Sequence, residues 1–339
     1  MGGVGSASEQ PPAERKGAPA TQSEANRAVT VGVDLGGTKC LGVVVDGDGS
    51  IVAETRVPTP RGGEAIVAGL RDVAAELIAR CPPGDVVGVG FGAPGLVDAS
   101  GVLRYAPNLA GVEELPLAVP LARQLGIPVV VENDATCACW GEAQAGAGRG
   151  RDHLVLVTLG TGIGGGMVLD GRLYRGKNGF AGEIGHMVVD PHGPPCPCGQ
   201  RGCWERYASG SGLGRLAREA AVGGRAERVV ALAGGDPEAV SGEHVTAAAA
   251  EGDSEAIAVM ADFAWWVALG LANLANAFDP ELFVLGGGLA EAADLVLDPV
   301  RTAFVGLLEG ADHRPPVEIA IAELGEHAGA IGAALLARP

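Results

Sequence analysis

The sequence predicts an α/β protein of two domains, with two similar halves around a cleft. Three observations carry this expectation. At 339 residues the chain is long for one hydrophobic core. Short β-branched runs alternate with helical patterns along it. Two three-stranded starts, each with glycines at the first turn, open at Val29 and at His153.

Residues 1–28 are rich in Pro, Ala, Gly, Ser and charge without apolar periodicity, so a disordered tail is expected there. From Val29, VTVGVDL reads as a strand, Gly36-Gly37 as a turn, TKCLGVVVD as its hairpin partner and SIVAETRVPT as a third strand. Ile66, Leu70, Val73, Leu77 and Ile78 recur at helical spacing, predicting a helix over roughly 63–80. Strand VVGVGFG (86–92), a loop, a helix near 115–125 and strand PVVVEND (128–134) complete the first half.

The second half opens with strand HLVLVTLG (153–160), the run GTGIGGG and strand MVLDGRLY. A cysteine segment and helices through 205–278 follow. Strand LFVLGGG (282–288), a helix, strand PVEIAIAEL and the apolar helix HAGAIGAALLA close the chain. Residues 256–278 match a bilayer in length, but their small alanines, Asn273 and Asn276 suit a buried core or subunit-interface helix. No membrane association is expected.

A net charge of −17 argues against a nucleic-acid partner, yet leaves room for a nucleotide in a local pocket. Seven cysteines, an odd number, and no apolar signal-peptide core point to a reducing cytoplasm. Three of them crowd into CPCGQRGCWE. With His186 they give H-x9-C-x-C-x4-C, four ligands able to close a tetrahedron around Zn²⁺: His186, Cys196, Cys198 and Cys203. A disulfide would leave one thiol over, and a full protein shell makes the metal structural. His192 is the alternative ligand.

Asp34-Leu35-Gly36-Gly37-Thr38-Lys39 sits on a hairpin. Gly36 and Gly37 can expose N–H groups to phosphate, Thr38 can donate a hydroxyl, and Asp34 can hold hydrated Mg²⁺. A plain turn explains the glycines but not Asp34, Thr38 and Lys39 around them. Gly160, Thr161, Gly162 and Gly164 belong to a G-x-G-x-x-G match succeeded by a strand, so a second phosphate-holding hairpin is expected, not a dinucleotide fold. Gly286, Gly287 and Gly288 lie between a strand and a helix and can admit an adenine or its ribose.

Glu132-Asn133-Asp134 ends a buried strand and starts a helix. Burial there can tune Asp134 toward a general base; the plain alternative is a helix cap. Glu183 and Glu205 flank the cysteine loop, and Asn108 sits in an Ala-Pro-Asn-Leu loop. Such Asn, Asp, Glu and His clusters suit hydroxyl-rich ligands. Cys40, Cys81, Cys137 and Cys139 read as small buried hydrophobes, and Trp265 and Trp266 as packing residues.

DLGGTK, ENDA, LGTGIGGG and EIGH…CPCGQRGCWE together resemble the ROK family of sugar kinases and repressors, over nearly all of the chain from Val29. The resemblance implies an actin-like, hexokinase-type, ribonuclease H-like fold of two domains with an interdomain cleft, where ATP and sugar meet. It also implies a smaller domain of residues 29–134 plus about 326–339, and a larger one of 135–325 holding the zinc loop 186–205. Subunits would pair as a homodimer or homotetramer. Asp134 would be the base, with Asn133, Glu183, His186 and Glu205 holding sugar hydroxyls. One departure is ENDATC, where Thr136 stands in place of the Asn of many bacterial relatives.

The expected activity is ATP-dependent phosphorylation of a hexose, with glucose at its 6-hydroxyl as the first choice. N-acetylglucosamine, N-acetylmannosamine, fructose and allose stay open as acceptors, and polyphosphate as donor. A repressor would need a DNA-binding helix-turn-helix ahead of Val29, where the sequence is Pro- and Gly-rich. A silent sugar sensor fits poorly with Asp34, Lys39 and Asp134 all present.

Overall fold

The computed structural model describes residues 28–107, 109 and 111–339. The expected N-terminal tail (apart from Ala28) and Asn108 lie outside the described residues.

The first half runs β1 (Val29–Leu35), β2 (Lys39–Val45), β3 (Ile51–Pro58), α1 (Gly63–Ala79), β4 (Val86–Ala93), β5 (Leu96–Val97), β6 (Val102–Tyr105), β7 (Glu113–Pro116), α2 (Ala118–Leu125) and β8 (Val129–Asn133). Helix α3 (Asp134–Ala145) leads into β9 (Leu154–Leu159), β10 (Ile163–Leu169) and β11 (Arg172–Leu173). After the cysteine loop come α4 (Glu205–Ala208), α5 (Gly210–Val222), α6 (Glu227–Leu232), α7 (Gly242–Ala250) and α8 (Ser254–Phe278). The chain ends with β12 (Leu282–Gly286), α9 (Ala293–Leu307), β13 (Glu318–Ile321) and α10 (Ala328–Leu336).

Two five-stranded sheets result, ordered β3-β2-β1-β4-β8 and β11-β10-β9-β12-β13. In each, three antiparallel strands precede two parallel ones. The suspected repeat is therefore a repeat of topology. Where a loop running into a helix is expected, β5, β6 and β7 instead form a third sheet. Its strands are two to four residues long and too short for periodicity to register.

Strands β1 and β4 lack in–out alternation because both faces of their sheet are covered. Helix α1 covers one face with Ile66, Leu70, Val73 and Leu77. Helix α10 lies on the other, and there the glycines are steric necessities. A Cβ at Gly32 or Gly90 would stand 1.9 or 1.8 Å from the backbone oxygen of Ala330 or Ala333. The second sheet meets α3 the same way, since a Cβ at Gly166 would lie 2.4 Å from that of Cys139. Helices α3 and α10 touch through Gly332, whose Cβ would collide with the Cys137 oxygen at 1.7 Å. A layer of small residues thus lets two helices sit between two sheets at backbone contact.

The apolar helix α8 is the spine of the second half. Ala256, Phe263, Val267, Ala268, Leu271 and Ala275 are all fully buried in one cluster. Trp204, next to the last loop cysteine, is also fully buried and occupies the space a side chain at Gly270 would need. Its indole N–H donates to the Trp266 oxygen at 2.7 Å, tying the cysteine loop to the spine.

Candidate active site

Helix α3 starts at the end of the half-buried strand β8, and Asn133 caps it. The Asn133 Oδ1 accepts the Thr136 N–H at 2.9 Å, and its Nδ2 donates to the Gly95 oxygen at 3.1 Å. The cap that Asp134 was the plain candidate for therefore belongs to its neighbour. Asp134 sits in the first turn, where the helix dipole favours a carboxylate. Burial nevertheless pushes its carboxyl above the usual range, against the N–H groups that stabilise its charge.

Asp34 lies beside it. A Cβ at Gly92 would be 3.2 Å from the Asp34 Oδ1 and 3.5 Å from the Asp134 Cα, so both acidic residues border the same glycine. Burial pushes the Asp34 carboxyl up to about 7; the Asp134 charge adds to this and Lys39 opposes it. Its buried Oδ1 has no hydrogen-bond partner among the described residues. An orphaned carboxylate oxygen next to a second carboxylate suits a hard cation such as Mg²⁺.

The other wall is the cysteine loop. The His186 Nδ1 is 3.9 Å from both the Cys196 Sγ and the Glu205 Oε1, while its Nε2 is 3.9 Å from the Glu183 Oε2. Burial pushes the Glu183 carboxyl up, His186 opposes, and the charges of Asp134 and Glu205 add to the rise. Asp134, Glu183 and Glu205 therefore share one electrostatic neighbourhood. All four expected metal-binding atoms, from His186, Cys196, Cys198 and Cys203, lie within 4.8 Å of one another. The Cys198 and Cys203 sulfurs are 3.5 Å apart, near the roughly 3.8 Å edge of a zinc–thiolate tetrahedron. All seven cysteines are free thiols. His192 stays exposed and outside this cluster, held by its N–H to Asp190.

The two glycine hairpins differ from expectation in detail. The Gly36 N–H is given to the Lys39 oxygen at 2.9 Å, so Gly37 and Thr38 form the open part of the first turn. Lys39, expected in the cofactor-binding turn, pairs with Glu326 at 2.5 Å, alongside Arg56. The anion it meets comes from the turn before α10, which packs on the same sheet. In the second hairpin Gly160 and Thr161 line a cavity of about 820 Å³. Gly162 abuts Glu205: a Cβ there would be 2.8 Å from the Glu205 Oε2. Gly164 departs from its expected role because it already lies in β10, gives its N–H to the Thr158 Oγ1 and packs against Ala135. Of Gly286, Gly287 and Gly288, only Gly288 lines the cavity. Gly286 ends the strand, and Gly287, at φ 83°, presses on the Leu159 backbone.

Sequence reasoning missed the cavity's far wall, formed by Ser211, Arg218, Ser241, Glu243 and Thr246. It also missed Arg175, which crosses from the second half to pair with buried Glu132, two residues before Asp134. The glycine-rich start of α5 was the one available signal, since the Gly210 N–H bonds the Gly160 oxygen at 2.8 Å.

Known proteins share this arrangement of elements. The sequence pattern of the ROK family matches residues 30–339. The chain belongs to the ROK family. A glucokinase of Streptomyces coelicolor is 43% identical over 314 residues, covering 91% of this chain and 98% of that one. A crystal structure of a ROK family glucokinase from Streptomyces griseus, in complex with glucose and AMPPNP, has 42% identity and a TM-score of 0.79. That match covers 92% of this chain and 99% of the other. A ROK hexokinase from Thermus thermophilus has 36% identity and a TM-score of 0.75, over 91% and 97% of the two chains. The fold is the actin-like, hexokinase-type two-domain fold, as the sequence suggested.

Proposed function

We propose that this ROK protein is an ATP-dependent glucokinase, transferring the γ-phosphoryl group of ATP to the 6-hydroxyl of glucose. One observation carries the reading. Asp134, at a helix start, couples electrostatically both to Asp34 and to Glu183, which in turn neighbours His186 and Glu205. The relatives add weight, being glucokinases at 43% and 42% identity, one of them holding glucose and an ATP analogue.

In this reading Asp134 accepts the proton of the sugar hydroxyl as that oxygen attacks the γ-phosphorus and the bond to ADP breaks. Its raised pKa leaves it a stronger base than an exposed aspartate. Glu183, His186 and Glu205 orient the sugar through its other hydroxyls, with the second amide hydrogen of Asn133 available to help. The cavity behind Gly160, Thr161 and Gly288 takes the nucleoside, its size within the usual range for such ligands. Gly37, Thr38 and Thr161 face the phosphates. Mg²⁺, when bound, would offset charge on the transferring phosphoryl group, and Asp34 is the residue placed to hold it, directly or through water. Zn²⁺ in the His186–Cys196–Cys198–Cys203 tetrahedron would fix the loop that carries His186 and Glu205.

We place the boundary between the closing units at 29–134 with about 326–339, against 135–325. Free thiols throughout suit the cytoplasm. The test is a nucleotide-coupled assay with MgATP over glucose, fructose, allose, N-acetylglucosamine and N-acetylmannosamine, with polyphosphate as a rival donor. Glucose with ATP should give the highest kcat/KM; a flat zero across the panel would refute the kinase reading.

A further inference from the structure

Glu142 is fully buried, sits two turns along α3 from Asp134, and no step of the phosphoryl transfer uses it. A buried carboxylate normally meets a cation or a proton. The bonds recorded for this one are backbone N–H groups from two separate segments. Its Oε2 accepts from Ala147 at 2.9 Å and Glu323 at 3.1 Å, and its Oε1 accepts from Leu324 at 2.8 Å.

Those segments are where the chain passes between the two sheets. It leaves the first sheet at β8, runs through α3 and residues 146–153, and enters the second at β9. It returns from β13 through residues 322–327 into α10, which packs on the first sheet. One carboxylate therefore holds both crossings together. Gly146 completes the clamp, because a Cβ there would stand 2.0 Å from the Glu142 Oε2.

We infer that Glu142 is a positioning residue: it fixes the pivot about which the halves close, and so sets where α3 delivers Asp134. The inference rests on the kinase reading. Glutamine at this position would turn an N–H₂ group toward at least one of three N–H donors, while aspartate keeps both acceptors on a shorter arm.

The experiment compares Glu142→Gln and Glu142→Asp with the full-length wild type, below their melting temperatures. Expected for Glu142→Gln is a kcat about 10- to 100-fold lower with glucose KM within about threefold. ADP formed per sugar phosphorylated should rise above one, because a loose pivot admits water as acceptor. Glu142→Asp should recover part of the kcat. A Glu142→Gln protein with lower thermal stability but wild-type kcat and tight coupling would overturn the inference. Should that variant fail to fold, Gly146→Ala displaces the same carboxylate without removing it, and the same outcomes decide. A wild type without kinase activity would instead sink the functional reading, which keeps the two failures distinct.

Discussion

The two five-stranded sheets share one strand order, yet their first hairpins carry different chemistry. The turn between β1 and β2 is open: a Cβ at Gly37 would meet nothing within 4 Å. Its contribution is Asp34, held at the strand end beside Asp134. The turn between β9 and β10 is flanked on both sides, with Gly162 near Glu205 and Gly160 bonded to the start of α5. The difference lies in the segment after each third strand. Beyond β3 comes a single helix, whereas beyond β11 come the cysteine loop and five helices before the next strand. A repeated scaffold thus supplies two equivalent turns, and an insertion in one copy builds the walls proposed for sugar and nucleoside. The bare copy supplies the acidic corner.

Among changes to the scaffold, breaking the insertion should have the largest effect. Cys203→Ser should lower bound zinc from about one per chain to a trace and raise glucose KM by about 10- to 100-fold. Metal analysis and steady-state kinetics on one preparation check both, and unchanged KM without metal would detach the loop from the sugar site. The acid limb of kcat/KM comes next. Because burial raises the Asp134 pKa, protonation should silence the base above the ordinary carboxylate range as pH falls. Below that value the rate should drop about tenfold per pH unit. A limb at the pKa of an exposed aspartate would contradict the burial argument. The smallest effects compare the hairpins directly. Gly162→Ala places a methyl 2.8 Å from the Glu205 Oε2 and should raise glucose KM severalfold. Gly37→Ala should change stability by under about 0.5 kcal/mol and leave glucose KM alone. Equal effects at the two positions would erase the contrast.

How much of the molecule is legible in its sequence depends on how local each feature is. The strands of both hairpins are legible because β-branched runs and glycine turns act over a few residues. The Cys/His cluster is legible because its four residues span only 186–203. The Lys39–Glu326 pairing is not legible, because the two residues lie 287 positions apart and no local pattern reports it. Gly88 and Gly90 of β4 and Gly166 of β10 look like compositional surplus or ligand loops, while their reason is a helix packed on the sheet. Glu142 is silent for the same cause: its three donors come from residues 147, 323 and 324. The cavity proposed for the nucleoside draws its far wall from α5 and α7, which read in sequence only as helices.

The central claim is that both halves converge on Asp134 as the acceptor of the sugar proton. Asp134→Asn tests it most directly, with turnover and glucose affinity measured on the same protein. Turnover should fall by about 10²- to 10⁴-fold while glucose still binds within a few-fold of the wild type. An asparagine variant that phosphorylates glucose at close to the wild-type rate would contradict the account.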